Sequence, residues 1–450
     1  MNHCNNLALL TDLYQLTMAQ SYWQSRKYEP ATFSLFVRSY PPNRGFFVSA
    51  GLQDVLEFLQ SFAFEQEDID YLRSTRMFAG DFLDFLKGLR FSGEVWAIPE
   101  GRLFFKDEPI LEITAPIIEA QIVETFVINQ INLQALIATK AARCVHAARG
   151  RAVVDFSLRR THGIDAGMKV ARSSYLAGFS GTSNVSAGKR YGIPTVGTMA
   201  HSFVTSFELE IDAFRSFVQS FPDNSILLID TYDTLAGARK AVEIAREMAH
   251  KGQRLRGVRI DSGDLASLAK EVRRIFDDAG LADVKIIGSG GLDEYDLAAL
   301  SEANAPYDSY GVGTRMGVSA DAPWFDMAYK LVEYDGRPVL KLSTGKASSP
   351  GRKQIYRFAD RQGRLLKDVI SLRHEELAGA EPLLQKVMER GRMREPYPKL
   401  KEIRERLLDE INHLDEQTRA IRNPANYPIE LSPRLRGLKQ EIEQQVAQTQ

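Results

Sequence analysis

Between residues 152 and 312 short apolar runs alternate with stretches of helical spacing: Ala152–Phe156, Thr195–Met199, Ile226–Ile229, Val258–Ile260, Val284–Ile287 and Tyr310–Val312. A strand that is apolar on both faces needs cover on both faces, and intervening helices supply it, so this stretch predicts a parallel sheet. At least six such units without a glycine-rich dinucleotide fingerprint favour an α/β barrel over a doubly wound sheet. The periodicity alone leaves closure of the barrel open. In such barrels the carboxyl ends of the strands build the active site. Here those ends carry Arg159-Arg160, His201, Asp230, Asp261-Ser262-Gly263-Asp264, Gly288-Ser289-Gly290-Gly291 and Gly311-Val312-Gly313-Thr314-Arg315, and they are expected to meet at one mouth.

The flanking segments read differently. Thr11 and Asp12 precede a short aromatic helix, Phe33 to Val37 alternate as a strand, and Phe46 to Val48 read as its partner. Helical stretches run to about Leu89, followed by antiparallel strands around Trp96, Leu103 to Lys106 and Ile110 to Thr114. After Ser343 the chain turns polar: Gly345 to Arg352 read as a loop, and Leu400, Ile403, Leu407, Ile411 and Leu414 mark an amphipathic helix. The expected organisation is an α+β domain over 1–135, an α/β barrel over 136–342 and a helical carboxy-terminal extension over 343–450.

Composition narrows the partners. The 57 Lys plus Arg nearly balance 58 Asp plus Glu, so no global basic field points to nucleic acid or an anionic membrane, and any anion site must be local. Cys4 and Cys144 build no disulfide framework and match no zinc spacing, which favours a reducing cytoplasm and no structural zinc. The Leu7–Leu10 run is too short for a signal-peptide core, and no apolar run approaches the roughly 18 residues of a spanning helix. Walker A, HExxH, EF-hand and GxSxG patterns are absent from the sequence.

The glycines of Gly288–Gly291 and Gly311–Gly313 let backbone N–H groups approach an anion, so a phosphate site is the specific expectation. Asp261 and Asp264 could hold ribose hydroxyls or a magnesium ion beside phosphates, or Ser262 or Asp264 could cap the following helix. Alternation along a strand would turn one of Arg159 and Arg160 into the mouth and the other away, and Arg259 shares a face with Asp261. His201 is one of seven histidines and could act as acid, base or covalent acceptor, with Asp230 on the next strand placed to orient it.

The run Leu9-Leu10-Thr11-Asp12-Leu13-Tyr14-Gln15-Leu16-Thr17-Met18, together with Gly197-Thr198-Met199-Ala200-His201-Ser202-Phe203, resembles the nicotinate phosphoribosyltransferases. So do Phe36-Val37-Arg38, Ala50-Gly51-Leu52, Gly181-Thr182-Ser183-Asn184-Val185, Asp230-Thr231-Tyr232 and the Asp261–Asp264 turn, and the likeness runs nearly end to end. The resemblance implies a type II phosphoribosyltransferase fold, an irregular α/β barrel beside an α+β domain, in a homodimer with shared active sites. It implies transfer of a phosphoribosyl group from phosphoribosyl pyrophosphate to nicotinate, with Mg2+ and with ATP hydrolysis coupled through a phosphohistidine at His201 partnered by Asp230. Phe156 and the neighbouring subunit's Tyr14 would sandwich the pyridine, and Arg159 or Arg259 would meet its carboxylate. Asp261 and Asp264 would serve the ribose or the metal, and Gly288, Ser289, Gly290, Gly291, Gly311, Gly313 and Thr314 the 5′-phosphate. Ser183 stands where nicotinamide-using relatives tend to carry an acid, and serine tolerates the nicotinate charge. Quinolinate phosphoribosyltransferase shares the fold but lacks the histidine motif, and a catalytically idle binding protein that senses pyridine or ribose phosphate is the remaining alternative.

Overall fold

The apolar runs of the central segment form one six-stranded parallel sheet with the spatial order Gly181–Thr182, Ala152–Asp155, Ser309–Val312, Lys285–Gly288, Gly257–Ile260 and Ile226–Leu228. Val153, Leu227, Leu228, Val258, Ile260, Ile286, Tyr310 and Val312 are all buried, as strands covered on both faces require. This computed structural model describes residues 7–341 and 349–449. Cys4 and residues 345–348 of the expected Gly345–Arg352 loop lie outside them.

The sheet is an open half-barrel: among the described residues its edge strands, Gly181–Thr182 and Ile226–Leu228, do not pair with each other. The expected strand Thr195–Met199 is reduced to a single bridge, in which Thr182 donates to the Pro194 carbonyl (3.0 Å) and accepts from the Val196 amide (2.9 Å). Pro194 lacks an N–H and Gly197 brings no packing side chain, so the ladder goes no further. Gly181, missed as a strand residue, permits this approach: a β-carbon there would stand 2.6 Å from the Pro194 oxygen.

Helices follow the strands at Ile164–Leu176, Thr234–Ala249, Leu265–Asp278 and Glu294–Glu302. Three of them start on an aspartate that accepts backbone N–H bonds of the first turn, namely Asp233, Asp264 and Asp293. Much of the acidity after the strands is therefore helix capping.

The chain divides into two compact units, Ile137–Pro323, which holds the parallel sheet, and Met1–Leu136 with Trp324–Gln450. The carboxy-terminal third thus shares a unit with the amino-terminal residues in place of forming a third segment. Within that unit a seven-stranded antiparallel sheet has Pro30–Val37 between Met327–Tyr334 and Leu111–Pro116, and includes Gln385–Glu389 at the edge of Glu94–Ala97. Phe47–Val48 pairs with Leu103–Phe104, not with the Phe33–Val37 segment.

The expectation of a helical extension over 343–450 is corrected here. Helices Leu400–His413 and Pro433–Thr449 are present, but Lys353–Ala359, Leu365–Leu372, Glu381–Pro382 and Ile429–Leu431 form a four-stranded sheet. The strands looked like solvated chain because their charges are inside: Arg357 is buried against Asp368 at 2.6 Å and against Glu410, and Glu410 also receives Arg102 at 2.8 Å. Among the described residues no helix is long and apolar enough to cross a membrane.

Candidate functional site

The strand ends of the Ile137–Pro323 unit surround a cavity of about 500 Å3 lined by residues of that unit alone. It gathers Phe156, Arg159, Ser183, His201, Arg259, Asp261, Ser289, Gly290, Gly291, Gly311, Gly313 and Thr314 from separate strand ends. Convergence of these residues is what a site at the carboxyl end of a parallel sheet requires.

Two glycines make the cavity possible. Gly290 has φ +104°, and a β-carbon there would lie 1.8 Å from the Asp261 carbonyl oxygen, so the turn exists only with glycine. At Gly311 a β-carbon would lie 2.4 Å from the Phe156 ring, so its absence is what seats that ring. Gly288 serves otherwise: it does not line the cavity, and the space above it is filled by Tyr307.

Arg159 and Arg160 lie on a 3₁₀ turn, Leu158–Arg160, and both line the cavity, so strand alternation does not sort them. The turn is anchored by Asp155, buried at the end of the Ala152–Asp155 strand, which accepts from the Ser157 amide (2.8 Å), the Ser157 hydroxyl (2.5 Å) and the Thr182 hydroxyl (2.7 Å). Burial raises the Asp155 carboxyl above its ordinary value, and these bonds oppose the rise. The Asp155 carbonyl also accepts from the Ser183 amide at 2.8 Å, so one residue fixes both Ser157 and Ser183. Sequence reasoning passed over Asp155 because an acid inside an apolar run carries no motif.

Arg259 donates through Nη2 to the Met199 carbonyl at 3.0 Å and sits 5.9 Å from the Phe156 ring centroid. Its Nε is buried without a partner. Burial pushes the guanidinium below its ordinary value, Asp261 and Asp230 pull it back, and the like charge of Arg159 lowers it further. Three guanidinium groups at one cavity, one holding an unused donor, describe an anion site.

His201 opens the short helix His201–Thr205. Its Nδ1 lies 3.1 Å from the Thr231 hydroxyl and its Nε2 3.9 Å from Asp261 Oδ2. The expected pairing with Asp230 is not what this structure shows. Asp230 Oδ2 instead accepts from the Asp261 amide (3.0 Å) and the Ser262 hydroxyl (2.6 Å), while its Oδ1 is buried and unpartnered. Asp230 thereby shapes the acidic turn from beneath, and Thr231, one residue on, reaches the imidazole. Asp261 accepts from the Ser289 hydroxyl through Oδ1, which ties the acidic turn to the first glycine turn.

Asp264 is not among the lining residues. It caps the Leu265–Asp278 helix, accepting from the Ala266 and Ser267 amides (3.1 and 3.2 Å) and the Ser267 hydroxyl (2.7 Å), and these bonds lower its carboxyl below the ordinary value, with the Ser267 hydroxyl foremost. The capping role of Asp264 is thus present in the structure. Arg315 likewise leaves the cavity and pairs with Asp296 and Asp293. Tyr14 belongs to the other unit, where it stands half-exposed on the helix Leu13–Gln24. Among the described residues no three His, Cys, Asp or Glu side chains cluster as a metal site.

Comparison with known proteins follows the same outline. Models of the nicotinate phosphoribosyltransferase amino-terminal domain, of the family proper and of its carboxy-terminal domain match residues 9–132, 151–370 and 376–439. Nicotinate phosphoribosyltransferase pncB2 of Mycobacterium tuberculosis is 49% identical over 432 residues, which cover 96% of this chain and 92% of that protein. The Bacillus subtilis nicotinate phosphoribosyltransferase is 36% identical over 461 residues, covering 95% and 93%. The crystal structure of human nicotinic acid phosphoribosyltransferase superposes with a TM-score of 0.87 at 31% identity, covering 96% of this chain and 99% of that one.

Proposed function

The chain belongs to the nicotinate phosphoribosyltransferase family, and on that premise we propose that the strand-end cavity joins nicotinate to the phosphoribosyl group of phosphoribosyl pyrophosphate, a step of NAD biosynthesis. The observation that carries this reading is the gathering of two glycine turns, three arginines, an aromatic ring and Asp261 around one space of about 500 Å3.

The pyridine nitrogen of nicotinate carries a free lone pair near neutral pH, so attack on ribose C1 needs no strong base. The N–C1 bond forms as the C1–O bond to diphosphate breaks, and positive charge grows on the sugar. What the protein supplies is positioning and charge control. Phe156 offers a face to the ring, and Arg259 meets the carboxylate, because its buried Nε is the unused donor beside that ring. Gly290, Gly291, Gly311, Gly313, Thr314 and Ser289 surround the 5′-phosphate. Ser183 places no negative charge near the carboxylate.

Asp261 spends one oxygen on Ser289, and a single carboxylate beside substrate phosphates suits Mg2+, which keeps several waters. Asp261 would hold that ion, and the ion would neutralise the departing diphosphate. The same reading couples the transfer to ATP: His201 Nδ1 rests on Thr231, leaving Nε2 to accept the γ-phosphoryl group as the bond to ADP breaks, and water later releases phosphate. It also has two copies of the chain working as a cytoplasmic homodimer, with the partner copy's Tyr14 completing the ring site.

The test mixes the protein with Mg2+, ATP, phosphoribosyl pyrophosphate and one of nicotinate, nicotinamide or quinolinate, and reads products by mass. Nicotinate mononucleotide from nicotinate alone is expected; turnover of nicotinamide, or of quinolinate with loss of carbon dioxide, would replace the substrate assignment. Arg259→Gln should raise KM for nicotinate about tenfold or more, since a charge-assisted contact is lost, while leaving KM for phosphoribosyl pyrophosphate nearly unchanged. If Arg159→Gln carries that effect instead, the carboxylate belongs to Arg159.

A further inference from the structure

The two glycine turns that face the phosphate end of the cavity are linked by a side chain that does not touch the cavity. The first turn, Gly288–Gly291, runs through Leu292 into the helix Glu294–Glu302, whose start is a closed capping box: Asp293 accepts from the Tyr295 and Asp296 amides (2.9 and 3.3 Å), and Asp296 accepts from the Asp293 amide (3.0 Å). That helix start is also fixed from inside the unit. Buried Glu294 receives Lys140 at 2.5 Å and Arg143 at 3.1 Å, and Lys140 also meets Asp321 at 2.7 Å.

The second turn, Gly311–Thr314, is anchored where it leaves the strand Ser309–Val312, with the Phe156 amide donating to the Val312 carbonyl at 2.8 Å, but beyond Gly313 it has no capped helix of comparable length. It leads into a single helical turn, Thr314–Gly317, with Gly317 close against Ser157 of the arginine-bearing 3₁₀ turn, where a β-carbon would come within 2.4 Å. On its other side Arg315 reaches across to the first turn's helix, placing Nη1 2.9 Å from Asp296 Oδ2 and 3.5 Å from Asp293 Oδ2. Both carboxylates belong to the capping box, and Asp296 Oδ2 is itself the oxygen that accepts from the Asp293 amide. Arg315 therefore fastens the second turn to the element that is already locked.

We infer that Arg315 is a positioning residue which holds the Gly311–Thr314 turn in register with the Gly288–Gly291 turn, and so sets the affinity for a phosphorylated sugar without touching it. The inference rests on reading this cavity as the phosphoribosyl site. The pair is half exposed, with Arg315 51% and Asp296 40% accessible, so it adds little to global stability, and its loss should be felt in the spacing of the turns. Anion binding by backbone N–H groups depends steeply on that spacing.

The experiment compares wild type with Arg315→Met and Arg315→Lys by calorimetric titration with ribose 5-phosphate, by steady-state kinetics and by thermal unfolding. Arg315→Met should weaken ribose 5-phosphate and raise KM for phosphoribosyl pyrophosphate roughly five- to tenfold, with kcat and KM for nicotinate within about twofold and the melting midpoint little changed. Arg315→Lys, which keeps a cation over the two carboxylates, should recover most of the affinity. Unchanged ribose 5-phosphate affinity in Arg315→Met, a fall confined to kcat, or a lysine variant as impaired as methionine would each overturn the inference. The titration does not depend on turnover, so ribose 5-phosphate binding that weakens in Arg315→Met while wild type forms no nicotinate mononucleotide would sink the function and leave the clamp standing.

Discussion

His201→Ala is expected to lose ATP hydrolysis and ATP stimulation by at least ~10³-fold while folding normally, because the group removed is the proposed phosphoryl acceptor itself. The fold should survive since the imidazole is 45% exposed and supports no core; its contacts are the Thr231 hydroxyl and the more distant Asp261. Transfer of the phosphoribosyl group should persist at a reduced rate, since the residues proposed for the pyridine and the 5′-phosphate lie elsewhere around the cavity. Radiolabelled ATP provides the measurement: wild type should carry acid-labile phosphate and the variant none. Full ATP coupling in the variant would remove the histidine from the mechanism. Thr231 supplies a control, since a hydroxyl holding Nδ1 orients the ring without adding the charge that a carboxylate would bring.

Gly290→Ala should lower kcat/KM for phosphoribosyl pyrophosphate by about 100-fold or more, the scale expected when a binding element is displaced by an ångström. The added β-carbon would stand 1.8 Å from the Asp261 carbonyl, at a φ of +104° that side chains rarely adopt. Relief requires the Gly288–Gly291 turn and the Asp261 turn to part. That would break the Ser289 hydroxyl bond to Asp261 and separate the 5′-phosphate donors from the acid proposed for the metal and ribose. Gly291→Ala is the comparison: φ there is also positive, at +70°, but nothing lies within 4 Å of its β-carbon, so its loss should be the smaller. Equal activity of Gly290→Ala and wild type would show that this turn does not contribute to the sugar phosphate site.

Much of the site was legible before any coordinates because parallel strands end on one side of a sheet. Once Ala152–Asp155, Gly257–Ile260, Lys285–Gly288 and Ser309–Val312 are strands of one parallel sheet, Arg159, Asp261, Ser289 and Gly313 must come near one another. Which of two neighbouring acids lines the cavity was not legible. Asp261 and Asp264 share a turn four residues long, and only the path of the backbone makes one a lining residue and the other a helix cap. The same holds for Asp230 and Thr231, where the carboxylate is spent on the Asp261–Ser262 turn and the hydroxyl meets the imidazole. The carboxy-terminal strands were missed because Arg357, Asp368 and Glu410 compensate one another in the interior, so their charge did not mean exposure.

The sequence by itself determined the family, the parallel α/β segment and the set of residues from which a phosphate, ribose and pyridine site could be built, since apolar periodicity and short motifs are local properties of the chain. Tertiary structure decided that the sheet stops as a half-barrel, that residues before 137 and after 323 share a unit, and that Asp155, Thr231 and Arg315 hold the site residues in place. Those outcomes depend on contacts between residues far apart in the chain, where geometry and the pairing of buried charge prevail over any pattern that neighbouring residues carry.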